Sequence, residues 1–199
     1  AGGTAVYAAV DGKYAGCILL EDTVKTGARE ALTELQRLGI RETVMLTGDR
    51  ENAASAAAGS LGITRWFAGL LPQEKVERVR ALQTGDHTLI FVGDGVNDAP
   101  VLALAGVGVA MGDIGSDAAV EAADLVLLKD DLRSLPKAIR ISRKTMRVAR
   151  ENIAFALIVK FVVLILSVFG WATMWLAVFA DVGVAVLAIL NATRAGRGR

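Results

Sequence analysis

Residues 156 to 190 read ALIVKFVVLILSVFGWATMWLAVFADVGVAVLAIL, an apolar tract holding one charge of each sign, Lys160 and Asp181. Ile153 to Phe169 is about as long as a membrane-spanning helix requires, and Trp171 to Leu190 is long enough alone. Phe169-Gly170-Trp171 interrupts the pattern. The expectation is a transmembrane helical hairpin, with helices over about 150–169 and 171–191 and a very short turn. Trp171 and Trp175 lie near that turn, where an aromatic belt would sit. Arg140, Arg143, Lys144, Arg147 and Arg150 precede the first helix; Arg194, Arg197 and Arg199 follow the second. A hairpin returns to its own side, so the positive-inside bias puts the soluble part and the basic tail, 193–199, in the cytoplasm of a multi-pass cell-membrane protein contacting lipid. The rival is a buried core hairpin of a soluble protein, against which the length, apolarity and basic flanks all argue.

In an antiparallel hairpin Lys160 and Asp181 both fall near mid-depth. Each would cost about 2.5–3.5 kcal/mol on insertion scales if it faced lipid. Pairing with each other or facing a hydrated cavity would offset much of that. Two readings stay open: an ion pair that fixes helix register, or part of an ion pathway, the commoner role of intramembrane charge. Asn191 adds a polar group near the inner end of the second helix, equally readable as an interfacial residue.

Net charge +1 and 53% hydrophobic residues average two unlike halves. Up to about residue 150, charged and apolar positions mix as in a soluble domain. The single cysteine, Cys17, excludes an internal disulfide framework and reads as a core residue rather than a ligand. Residue 1 opens into AGGTAVYAAVDGKYAG, two short strands joined by an Asp11-Gly12 turn, so the sequence reads as a fragment that starts inside a structural unit.

Strand and helix signals then alternate: YAGCILLED, the helix TGAREALTELQRLG closed by Gly39, ETVMLTGD, a helix over Glu51 to Leu61, RWFAGL, the helix PQEKVERVRALQ opened by Pro72, HTLIFVGDG as a buried strand, VGVAMG, the helix GSDAAVEAA and DLVLLKD. This predicts an α/β fold, a parallel sheet with helices on both faces. SLPKAIRISRKTMRVARENI continues as a basic helix into the first membrane helix without a linker, a rigid connection through Arg143 and Arg150.

In such sheets ligands bind beyond the carboxyl ends of the strands. One strand end carries Thr47-Gly48-Asp49, whose hydroxyl and glycine-flanked N–H groups can hold phosphoryl oxygens. Another carries Gly93-Asp94-Gly95-Val96-Asn97-Asp98-Ala99-Pro100, where Asp94, with Asn97 and Asp98 nearby, suits a hard cation such as Mg²⁺. Lys75, between them, can supply a point charge to a phosphoryl group. Taken singly, a Thr-Gly-Asp is more often a turn and a lysine more often a solvated helix residue. His87 is assigned no role.

Together, MLTGD, LLPQEKVERV and GDGVNDAP resemble the phosphorylation domain of P-type ATPases, and the resemblance covers nearly the whole chain. It implies that residues 1–20 are the closing strands of a nucleotide-binding domain and 21–140 the C-terminal part of a haloacid-dehalogenase-like phosphorylation domain. Residues 141–192 are then a basic helix leading into the last two membrane helices of the heavy-metal-transporting branch. Lys160, Ala180-Asp181-Val182-Gly183 and Asn191-Ala192-Thr193-Arg194 resemble the zinc, cadmium and lead exporters; the Tyr-Asn and Met-Ser-Ser groups of copper exporters are missing. Oxygen ligands also suit Zn²⁺ better than Cu⁺. The implied roles follow. Thr47, Gly48, Asp49, Lys75, Asn97 and Asp98 surround the phosphorylated aspartate. Asp94 and Asp98 hold Mg²⁺. Asp181 binds the transported ion, with Lys160 as its countercharge.

The implied function is ATP-driven export of Zn²⁺ or Cd²⁺, with Pb²⁺ a further candidate, through an aspartyl-phosphate. The partners implied are the actuator, nucleotide domain and other membrane helices of the same pump, and no nucleic acid. The sequence contains no Asp-Lys-Thr-Gly-Thr nucleophile motif, so this chain alone is expected to be inactive. Lys25 and Arg50 depart from the family's usual arginine and asparagine at positions that look peripheral. Alternatives are a membrane-anchored, inactive phosphatase-like domain, or a pump for another cation such as Cu⁺ or Co²⁺.

Overall fold

The structure, a computed structural model, describes residues 4–20, 23–83, 85–93, 98–112 and 117–196. Two compact units divide the chain, Ala1–Pro136 and Lys137–Arg199.

The first unit opens with an antiparallel hairpin of β1 (Thr4–Val10) and β2 (Lys13–Leu20), with a bulge at Ala8/Ala9. Asp11 (φ 51°) and Gly12 (φ 75°) both take the left-handed conformation that lets a two-residue turn match the strand twist. Cys17 is exposed on β2, not in the core; a two-stranded ribbon has no second layer to bury it. A hydrogen bond between the side chains of Tyr14 and Cys17 raises the Tyr14 phenol above its ordinary value.

α1 (Ala28–Arg37) buries Ala28, Ala31, Leu32 and Leu35, spaced to form one helical stripe. It ends at Gly39 (φ 82°), where Ile40 N donates to the Leu35 carbonyl and Gly39 N to that of Gln36. β3 (Val44–Leu46), α2 (Glu51–Leu61), β4 (Arg65–Phe67) and α3 (Pro72–Leu82) follow, with β3 and β4 parallel. Then come β5 (Ile90–Gly93), α4 (Ala99–Leu104), β6 (Val107–Met111), α5 (Asp117–Ala122) and β7 (Leu125–Leu127), with β5–β6–β7 a parallel sheet. Among the described residues, every pairing after residue 40 is thus parallel, as the alternating pattern requires. The hydrogen-bonded ladders fall into two groups, β3–β4 and β5–β6–β7. β5 is half-buried throughout rather than fully buried.

The six-residue α4 was not legible in the sequence pattern: it is too short to show a period. Its marks were a polar residue, Asp98, at the N-cap and Pro100 just inside the start. Leu102 and Val101 on α4 are fully buried, and Leu102 centres a cluster with Ala110, Ala119, Phe91 and Val126. Gly108 makes this packing possible, because a Cβ there would collide with the Leu102 carbonyl. The Gly108 N–H donates to the Asp124 carboxylate (2.9 Å), tying β6 to the approach of β7.

α6 (Ser134–Val168) is a single helix of 35 residues, so the basic and apolar stretches do run together without a linker. Just before α6, Arg133 Nε donates to Asp131 (2.9 Å), and Arg133 lies 3.8 Å from Glu30. The Asp131 carboxylate raises the guanidinium further above its already high ordinary value. Phe169 and Gly170 (φ 75°) form the turn. The return helix begins at Met174, not at Trp171, because the Thr173 hydroxyl caps it by accepting from Leu176 N (3.3 Å). It comprises α7 (Met174–Val178), a π-helical turn (Phe179–Gly183) and α8 (Val184–Gly196). The two rods, Ser134–Val168 and Met174–Gly196, are each long and apolar enough to cross a membrane. Trp171 and Trp175 are exposed at the turn end.

Candidate functional site

Two groups of polar side chains stand out, one in each unit. In the first, β3 delivers Thr47 immediately beyond its last residue, Leu46. The Thr47 hydroxyl donates to the Asp49 carboxylate (2.7 Å) and accepts from the Asp49 N–H (3.1 Å), closing a tight loop around Gly48. Backbone bonds hold that loop to the chain after β4: Thr47 N to the Phe67 carbonyl, Gly69 N to that of Asp49, and Leu70 N to that of Thr47. A Cβ at Gly48 would lie 3.3 Å from the Leu70 carbonyl, so a side chain there would press on this seam. Two residues after Leu70, Pro72 starts α3, and the Leu71 N–H is capped by Glu74 (2.7 Å). The β3 loop therefore sets where α3 begins.

Lys75, in the first turn of α3, donates to Asp98 Oδ1 at 2.9 Å across 23 residues of sequence. Asp98 is the buried charged residue among those described, 8% exposed, at the N-cap of α4. The β5 end approaches it closely: a Cβ on Gly93 would sit 3.1 Å from Asp98 Oδ2. Glycine at 93 keeps that space clear. The arrangement is a lysine and a carboxylate held together at the carboxyl end of a parallel sheet, with a loop offering a hydroxyl hydrogen-bonded to the chain that leads into α3. Phosphoryl oxygens would find donors here. Asp94 and Asn97 lie outside the described residues. The fit to Mg²⁺ is nevertheless testable on Asp98: one oxygen is engaged by Lys75, and the other lies beside an unobstructed glycine. A cation that binds through one or two carboxylates plus phosphate and water suits such a site.

Three positions set aside in the sequence find plain surroundings. His87 Nε2 lies 3.3 Å from Arg41. Lys25 pairs with Asp130 at 2.6 Å, and Arg50 is the N-cap of α2.

In the second unit Lys160 Nζ lies 3.2 Å from Asp181 Oδ1. The two charges of the apolar tract are thus brought together. Asp181 sits inside the π-helical turn, which the sequence pattern did not show. Such turns are rare and recur at functional sites, because the widened backbone loosens the regular carbonyl–amide ladder. Gly183, at its end, marks the weak point. Closer to the basic end of α6, Asn152 was missed as a candidate. Its amide donates to the Ala188 carbonyl (3.0 Å) and its oxygen accepts from Asn191 (2.8 Å), while Arg194 donates to Asn191 (3.0 Å). The available signal was an asparagine one residue before the apolar run that holds Lys160; its partner lies 39 residues away.

Models of haloacid dehalogenase-like hydrolases match residues 1–106 and 76–139. The cadmium, zinc and cobalt-transporting ATPase of Bacillus subtilis (strain 168) is 53% identical over 98% of this chain, and the zinc-transporting ATPase of Synechocystis sp. is 51% identical over 96%. The chain spans 28% and 27% of their respective lengths. A crystal structure of a zinc-transporting PIB-type ATPase in the E2.Pi state matches 98% of this chain and 32% of that one, with 42% identity and a TM-score of 0.86. The chain belongs to the haloacid dehalogenase-like hydrolases, and over nearly its whole length it is similar to one part of metal-transporting PIB-type ATPases.

Proposed function

We propose that this chain is the C-terminal part of a pump that exports Zn²⁺ or Cd²⁺ at the expense of ATP. The observation that carries the ion assignment is the Lys160–Asp181 pair, 3.2 Å apart in the two apolar stretches, Ile153–Val168 and Met174–Leu190. Relatives named for cadmium and zinc transport support it. In this reading the soluble unit faces the cytoplasm and both apolar rods cross the cell membrane, in contact with lipid and with the pump's other helices.

Phosphate from ATP passes to an aspartate in the rest of the pump. Thr47 and the N–H groups around Gly48 orient the phosphoryl oxygens, and Asp49 holds the Thr47 hydroxyl in place. Lys75 supplies positive charge where negative charge develops, and Asp98 fixes its ammonium. Asp94 and Asp98 would hold Mg²⁺, which, when bound, neutralises charge on the phosphoryl group. In the membrane, Asp181 takes the divalent ion and Lys160 balances Asp181 once the ion has left. A carboxylate without a countercharge would be costly to empty at mid-depth.

The test is Asp181→Ala in the full-length pump. Zn²⁺-stimulated ATP turnover should fall at least a hundredfold, while phosphorylation by inorganic phosphate, which needs no transported ion, stays within about twofold. Unchanged Zn²⁺ stimulation would refute the assignment.

A further inference from the structure

α6 and α8 meet where Asn152 bonds to Asn191 and to the Ala188 carbonyl, and Val148, one turn earlier on α6, is buried. Beyond that contact they leave a cleft of about 400 Å³ lined by Lys144, Arg147, Val148, Glu151 and Arg194. Lys144, Arg147 and Glu151 share one face of α6 because they are spaced by three and four residues. Arg194 meets them from α8. The lining carries three positive charges and one negative. Lys144, Arg147 and Glu151 make no ion pair among the described residues, and Arg194 spends one donor on Asn191. A bias toward basic residues at a membrane end requires only their number. It does not require them to converge on one concavity around a carboxylate.

Depth identifies what such a concavity would meet, on the reading proposed above that both rods cross a membrane. Lys160 lies at the centre of the apolar run Ile153–Val168. At about 1.5 Å per residue, Glu151 stands about 14 Å from that centre, Arg147 about 20 Å and Lys144 about 24 Å. Counting along the other rod from Asp181 puts Arg194 at about 20 Å as well. The hydrocarbon ends near 15 Å and the headgroups near 20–22 Å. The cleft thus occupies the layer of lipid phosphates, and its volume is that of a small-ligand site.

We infer that this cleft is a headgroup site for an anionic phospholipid: Lys144, Arg147 and Arg194 take the phosphodiester, and Glu151 accepts from headgroup hydroxyls. Phosphatidylglycerol, which carries both groups, is the matching probe. Basic pockets between membrane helices at this level are known to hold such headgroups.

The test measures lipid retained by the detergent-purified full-length pump, by native mass spectrometry, after incubation with phosphatidylglycerol or phosphatidylcholine. It therefore does not depend on transport. Phosphatidylglycerol should be retained in preference. Arg147→Gln should weaken retention about fivefold, the size expected of one basic side chain at this depth. Arg150→Gln, the same charge change three residues on and outside the cleft, should leave it within twofold. Arg147→Lys should restore most of it, which separates recognition from misfolding. Equal losses in the Arg147 and Arg150 variants would show mere surface attraction and overturn the site. So would equal retention of the two lipids, or displacement of phosphatidylglycerol by millimolar inorganic phosphate, which would mark a free-phosphate site instead.

Discussion

Among the described residues, the lysine–aspartate pairs Lys25–Asp130, Lys75–Asp98 and Lys160–Asp181 have lengths that run opposite to their expected importance. Lys25–Asp130 is the shortest at 2.6 Å, with both side chains about half exposed (46% and 50%). Lys75–Asp98 follows at 2.9 Å, with the side chains alone 19% and 12% exposed. Lys160–Asp181 is the longest at 3.2 Å, with both groups on the open surface of two apolar rods. Coulomb attraction between unit charges hardly changes from 2.6 to 3.2 Å, but it changes about twentyfold between water and a dry interior. What surrounds each pair therefore decides its role. The first is set in solvent. The second is held in a packed corner where sheet, α3 and α4 meet. The third is set among side chains that belong in lipid or against other helices.

The membrane pair should show the largest effect. Asp181→Ala removes the proposed ligand; Lys160→Ala leaves it and should permit Zn²⁺ binding while slowing release about tenfold or more. A pair that merely set helix register would behave otherwise. Replacing both charges by apolar residues would then restore folding and transport together, since buried pairs are often dispensable for stability. In the Lys160→Met, Asp181→Leu double variant, folded protein should be recovered and Zn²⁺ transport should stay absent. Vesicle uptake of Zn²⁺ beside the yield of folded pump decides between the two.

The buried pair should come next, with stability and chemistry falling together. Lys75→Met leaves the Asp98 carboxylate in a nearly closed site with its main partner gone. That should cost about 2–4 kcal/mol of stability, seen as a lower thermal midpoint of the full-length pump. It should also reduce phosphoenzyme formation from ATP about a hundredfold, the usual worth of one positioned charge on a phosphoryl group. Asp98→Asn keeps the shape and a hydrogen-bonding oxygen, so its stability loss should be less than half as large, and it should raise the Mg²⁺ concentration required for phosphorylation. A Mg²⁺ requirement unchanged in Asp98→Asn would remove Asp98 from the proposed metal site.

These three pairs also show what could be read in advance. Lys160 and Asp181 were conspicuous because one charge in an apolar run is costly, and the hairpin pattern implied similar depths. Parallel pairing, the unbroken α6 and the Gly39 stop were legible for related reasons: each is dictated by spacing or by a single residue's conformational freedom. The residues of the proposed phosphoryl site stood out in the sequence as loops at strand ends, but the bond from Lys75 to Asp98 was not legible, since it joins segments whose approach is set by α4 packing on β6. α4 itself depends on a tertiary fact, that Gly108 lets the Leu102 carbonyl come near. Cys17 was misplaced for the converse reason. Its type prefers burial, but a two-stranded ribbon offers none. The π-helical turn at Asp181 leaves no trace in periodicity because the apolar pattern on either side has no polar face to shift. Asn152 escaped notice because its partners lie 36 and 39 residues away.

The shortest pair should matter least. Lys25 and Asp130 are about half exposed, so water screens them, and ordering two mobile side chains costs about what the contact gains. Asp130→Asn keeps the size of the side chain and removes only its charge. The expected loss is about 0–1 kcal/mol, a shift of at most a few degrees in thermal midpoint, and even that should fade as ionic strength rises past about 0.15 M. Zn²⁺-stimulated turnover should stay within about twofold. The contrast with Lys75→Met is the informative quantity, since the two pairs differ by only 0.3 Å in length. If Asp130→Asn costs as much stability as Lys75→Met, and does so at high salt, burial is not what separates these pairs. Lys25 would then have to be read as a structural tie between Asp130, just after β7, and the approach to α1, a role its exposed position does not suggest. If the small, salt-sensitive loss is found, surroundings rank the three pairs and distance does not.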